Sequence, residues 1–88
     1  MVTKTILEKS TGNISMLSFE SGEELPENTS EFDTFAQIIE GGADIIIAGK
    51  SNLLLEGDGI VIPAYKTFNI KAIGSFKMIL TVIKSEYD

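Results

Sequence analysis

The chain is a series of short apolar runs separated by polar punctuation, and within the runs apolar residues alternate instead of recurring at helical spacing. After a polar start, Ile14 to Glu20 (ISMLSFE) places Ile14 and Met16 on one face and Leu17 and Phe19 on the other, which suits a strand covered on both sides. SGEELPENTSEFD, acidic and nearly devoid of apolar residues, reads as a loop or short edge strand. Thr34 to Ile39 has strand character, and Glu40-Gly41-Gly42 closes it with the freedom a turn needs. Ala43 to Ala48 follows with three consecutive isoleucines, whose β-branched side chains favour a pleated surface over a helix. Gly49-Lys50 reverses the chain, Ser51 to Leu55 returns, Glu56-Gly57-Asp58 turns again, and Ile60 to Pro63 ends where proline cannot donate to a ladder. Phe68 to Ile73 and Phe76 to Lys84 complete the set on either side of Gly74-Ser75. The spacing predicts an all-β fold of eight or nine short antiparallel strands, a sandwich or barrel with little or no helix.

A length of 88 residues allows one domain, 1–88, with its barrel core over about 14–84. Hydrophobic residues at 43% and charged residues at 23% provide for an ordinary ordered core. Thirteen acidic against seven basic residues give a formal charge of −6, which argues against nucleic acid and anionic lipid as partners. There is no cysteine and no histidine, so thiolate chemistry, disulfides and imidazole ligation are all unavailable. The start, MVTKTILEKSTG, lacks the apolar core of a signal peptide, and no segment approaches the roughly 18 apolar residues of a membrane span. The expected location is the cytoplasm.

Two stretches resemble a known family. From Gly22 to Gly41 the spacing is similar to the first cupin motif, in which glycine, five residues, His-x-His, three or four residues, glutamate, six residues and glycine follow in order. Asn28 and Ser30 stand at the histidine positions, Thr34 at the glutamate position and Gly41 at the closing glycine. GDGIVIPAYKTFNIKA, Gly57 to Ala72, resembles the second motif, with Phe68 at its histidine position and Tyr65 at a glycine position. The resemblance implies a single jelly-roll (cupin, RmlC-like) barrel from which every metal ligand is missing.

Strand parity then fixes which side chains look inward. With Thr34 inward, Ala36 and Ile38 follow it, and Phe68, Ile70 and Ala72 point the same way on their own strand. The expected ligand-pocket lining is Asn28, Ser30, Thr34, Ala36, Ile38, Phe68 and Ile70, with Tyr65 near the rim. Phe35 and Ile39 fall on the outer face, and the last strand carries apolar residues on both faces. A small barrel has one interior, so an apolar exterior predicts a homodimer; the resemblance implies the same, since cupins commonly pair sheet against sheet.

Little chemistry remains. Histidine-based metal catalysis has no ligands, so neither metal nor cofactor is expected. An all-oxygen site for a hard ion would have to draw on Glu27, Asn28, Ser30, Glu31 or Asp33. The inferred lining holds no carboxylate for acid–base work, and Tyr65 is the titratable group at the mouth. GDG at 57–59 and GK at 49–50 are hairpin turns, not phosphate loops. The expected function is a metal-free, non-catalytic barrel, structural or binding a small apolar or neutral-polar ligand. The alternative is an isomerase-like or lyase-like enzyme run by Tyr65 with Glu27 or Asp33.

Overall fold

The computed structural model describes residues 1–84 and contains nine strands. They are β1 (Val2–Lys9), β2 (Gly12–Phe19), β3 (Glu24–Thr29), β4 (Asp33–Glu40), β5 (Gly42–Ile47), β6 (Lys50–Leu55), β7 (Gly59–Ile62), β8 (Thr67–Ala72) and β9 (Phe76–Ile83). One sheet has the order β1-β2-β9-β4-β7 and the other β3-β8-β5-β6, and every pairing is antiparallel. This is the two-sheet jelly roll expected from the turn spacing. Among the described residues no helix is long and apolar enough to cross a membrane.

One segment differs from the sequence reading and a second resolves an alternative it left open. The polar start is a strand: β1 pairs with β2 from Val2↔Ser18 to Lys9↔Gly12, so the sheet begins twelve residues before Ile14, at Val2. All eight of its residues are exposed, which leaves no burial to impose a period of two on its side chains. The acidic segment after Gly22 takes the edge-strand option, as β3 at the margin of the second sheet. Its pairing with β8 slips between Leu25 and Asn28, and an edge strand with a bulge tolerates Pro26.

Alternation along the strands builds the core. On β4, Thr34, Ala36 and Ile38 are buried while Asp33, Phe35, Gln37 and Ile39 are exposed. Across the interior β5 contributes Ala43 and Ile45, and β8 contributes Phe68 and Ile70. Leu17, Phe19, Leu54, Ile62, Phe76 and Met78 complete one contiguous apolar cluster. Phe19 and Phe76, direct partners on β2 and β9, stack with centroids 4.5 Å apart and planes 7° from parallel. Such a pair contributes about 0.5–1.5 kcal/mol beyond the area it buries. Among the described residues Thr34 is the one buried polar side chain, at 3% exposure.

The β5–β6 hairpin closes through the two residues Ala48 and Gly49, between the partners Ile47 and Lys50. Both have positive φ, 50° and 81°, as a type I′ turn requires. Alanine is poorly suited to the first position, whereas asparagine bonds locally and tolerates it. Ala48→Asn is expected to stabilise the protein by about 0.5–1 kcal/mol, read as a higher urea midpoint at unchanged slope.

Candidate functional site

The residues singled out by motif spacing come from three strands and two connections. Asn28 on β3 is the direct cross-strand partner of Phe68 on β8, so both lie on the face that looks toward the other sheet. Thr34 enters from the facing sheet, where β4 runs between β7 and β9. Thr34, Ala36, Ile38, Phe68 and Ile70 are all buried, each no more than 4% exposed. Ser30 is half-buried, and Asn28 and Tyr65 are exposed. The eight side chains therefore divide. Five are part of the packed interior and three stand at one rim.

The rim residues are occupied locally. The Thr29 amide donates to Asn28 Oδ1 at 2.9 Å, and the Phe32 amide donates to Ser30 Oγ at 3.1 Å. These are the short side-chain-to-backbone bonds that Asn and Ser favour in turns. Asp33 is committed as well, its Oδ1 accepting the Ala64 amide at 2.8 Å. Among the described residues no three acidic side chains gather into a group that could hold an ion.

Tyr65 is the unusual member. Its φ is +65°, in the left-handed region that an L side chain seldom occupies. Three bonds hold it there. The Tyr65 amide donates to the Ser30 carbonyl at 2.7 Å, the Lys66 amide donates to the Pro63 carbonyl at 3.3 Å, and Ala64 is fixed by Asp33. This over-determination is what lets a strained residue persist. The tyrosine side is 74% exposed and borders a concavity of about 290 Å³ lined by Glu31, Phe32, Asp33, Ala64, Tyr65 and Ile83. Lys84 Nζ lies 5.8 Å from the centroid of the Phe32 ring, within cation–π reach. Away from the rim, the Glu23 carboxyl is held below its usual range by a hydrogen bond and ion pair with the Met1 ammonium and by the Glu20 amide.

Comparison with solved structures places this geometry. A conserved protein of unknown function from Streptococcus pyogenes matches 98% of this chain over 75% of its own, with 29% identity and a TM-score of 0.91. A cupin superfamily protein from Desulfitobacterium hafniense matches 96% of this chain over 77% of its own, with 27% identity and a TM-score of 0.91. The chain is a small cupin-superfamily domain. A cupin 2 conserved barrel domain protein from Leptotrichia buccalis is also similar, at 25% identity and a TM-score of 0.91, over 94% of this chain and 40% of that one. No protein-family profile and no curated protein matches the sequence. Motif spacing therefore had to carry the likeness. The cupin frame is visible in the backbone: Gly22, Gly41 and Gly57 have φ of 87°, 82° and 91°. A methyl group on Gly41 would also collide with the Ser75 carbonyl oxygen and lie 2.8 Å from Phe76 Cβ.

Tyr65 occupies a position of the same kind, since the second cupin motif has glycine there. What residue type could not reveal was that the chain keeps the glycine-like backbone while carrying a tyrosine. Relief of left-handed strain contributes roughly 1–2 kcal/mol, and the extra freedom of an unfolded glycine returns roughly 0.5–1 kcal/mol. Tyr65→Gly is accordingly expected to raise stability by roughly 0.5–1 kcal/mol, checked by denaturant titration. A loss of stability would mean that the ring packs on the rim.

Proposed function

We propose that this cupin domain is a non-catalytic structural or binding barrel whose metal position has been converted into core. The observation that carries the reading is Phe68: it stands at the motif's histidine position, is 4% exposed, and belongs to the same apolar cluster as Ala36, Ile38, Ile45 and Ile70. The residues at the other ligand positions do not fit a transition metal either. Thr34 offers a buried hydroxyl where a carboxylate would be needed, and Asn28 and Ser30 offer an amide and a hydroxyl already engaged with backbone. Such ions favour imidazole nitrogen, thiolate or carboxylate. The barrel then contributes a rigid scaffold, and any small neutral ligand is taken at the rim instead of the centre.

Metal analysis of the purified protein, after incubation with nickel, zinc and iron and removal of excess, is expected to find no stoichiometric metal. Bound metal that Thr34→Val removes would sink the reading. If Phe68 serves as filler, Phe68→Ala should destabilise the fold by about 3–5 kcal/mol, measured by thermal or urea unfolding.

A second reading, an enzyme acting on a small organic molecule, is favoured by one observation: the strained Tyr65 beside a concavity that also presents Glu31 and Asp33. Strain of this kind clusters at functional sites. On that reading the Tyr65 hydroxyl moves a proton at the rim, and Tyr65→Phe lowers turnover and alters its pH profile without affecting stability. Turnover of an accepted substrate that is indifferent to this substitution removes Tyr65 from the mechanism.

A further inference from the structure

Three short stretches that contribute nothing to the apolar cluster meet at one place on the barrel rim. Glu31 to Asp33 leads into β4, Ala64 and Tyr65 lie in the connection from β7 to β8, and Ile83 ends β9 with Lys84 after it. Strand register brings the first and third together. Asp33 is the direct partner of Ile83, so one step further along this antiparallel ladder Phe32 stands opposite Lys84. The Lys84 amide is anchored by donating to the Thr11 carbonyl at 2.9 Å, and its Nζ lies 5.8 Å from the Phe32 ring centroid. From the other side, the bonds from the Ala64 amide to Asp33 and from the Tyr65 amide to Ser30 draw the turn against the same segment. The concavity of about 290 Å³ between them is therefore lined by two aromatic residues, Phe32 and Tyr65, and two acidic ones, Glu31 and Asp33.

We propose that this concavity binds a small free organic cation of the alkylammonium class, held by the Phe32 and Tyr65 rings and the Glu31 and Asp33 carboxylates. An aromatic face attracts a cation through the ring quadrupole, and a nearby carboxylate adds direct charge attraction. An anion would be repelled by both acids. The site already shows the preference, because Lys84 places its own ammonium within reach of the Phe32 ring. Lys84 is thus a tethered stand-in for the ligand, and a free cation must displace it to use that face of the ring. Tyr65 gives separate support. Its backbone is left-handed and the residue is 74% exposed, so the ring adds nothing to the core in return for the strain. Strain held without packing is expected of a residue kept for binding. The inference goes beyond the filled-interior reading and fails separately from it: metal found in the barrel would leave these rim groups in place. A neutral ligand and a cation at the rim also make opposite predictions, which a pair of isosteres separates.

The probes are choline and its uncharged isostere, in which carbon replaces the quaternary nitrogen, each titrated into the full chain and followed by amide NMR shifts. Choline is expected to shift the Phe32, Asp33, Tyr65 and Lys84 amides saturably, with a Kd on the order of 1 mM, as a few exposed cation–π contacts allow. The isostere should bind at least about fivefold more weakly. Phe32→Leu should weaken choline binding about 2- to 5-fold. Tyr65→Gly should weaken it by a similar factor even though that fold is the more stable one. Lys84→Gln should tighten binding about 2- to 5-fold, since the tethered ammonium no longer competes. The absence of a saturable shift up to about 0.1 M choline, equal binding of the isostere, or a Lys84→Gln variant that binds choline less tightly would overturn the assignment. Shifts produced by phosphatidylcholine vesicles and not by free choline would also overturn it, assigning the rim to a membrane surface. Tyr65 and Lys84 lie outside the core, so their variants retain their meaning even if Phe32→Leu fails to fold.

Discussion

Everything in this molecule depends on two sheets sharing a single layer of inward side chains. Packed sheets leave about 10 Å between backbones, enough for interdigitated side chains from both faces and no more. In this barrel that layer is apolar apart from Thr34, from the stacked Phe19 and Phe76 through Ile38, Ile45 and Ile70 to Phe68. A cupin that held an ion would have to reserve part of this volume for imidazoles, a carboxylate and water. Here that volume holds a contiguous apolar cluster, whose burial contributes stability.

The turns share left-handed backbone positions. Gly22, Gly41 and Gly57 keep left-handed φ, and Tyr65 keeps it without being glycine. Its retention rests on three hydrogen bonds that tie the Pro63–Lys66 turn to Ser30 and Asp33. Loop geometry and interior chemistry are therefore separable in this fold: the turns set where the strands enter the barrel, and the alternate residues of each strand set what the barrel contains.

That separation explains what could be read in advance. The inward set on β4 and β8 was legible because a buried face enforces a period of two, and Thr34, Ala36, Ile38, Phe68 and Ile70 are where parity put them. The rim was less legible. Asn28 shares a face with Phe68, yet β3 is an edge strand with slipped register, and its side chain ends in solvent. The strain at Tyr65 is a property of φ, which residue type does not encode once glycine is gone. β1 was invisible for a related reason: its extra residue, between Thr5 and Leu7, moves Ile6 and Leu7 out of any simple alternation.

That irregularity in β1 bears on how the protein behaves at high concentration. β1 is an outermost strand, one side of which offers unpaired amides and carbonyls to any passing chain. An extended, flat margin would invite fibrillar growth by strand addition. The shift after Thr5 bends the margin, and Lys4, Glu8 and Lys9 place charges along it. The feature that hid this strand from pattern reading thus also guards the sheet against open-ended polymerisation.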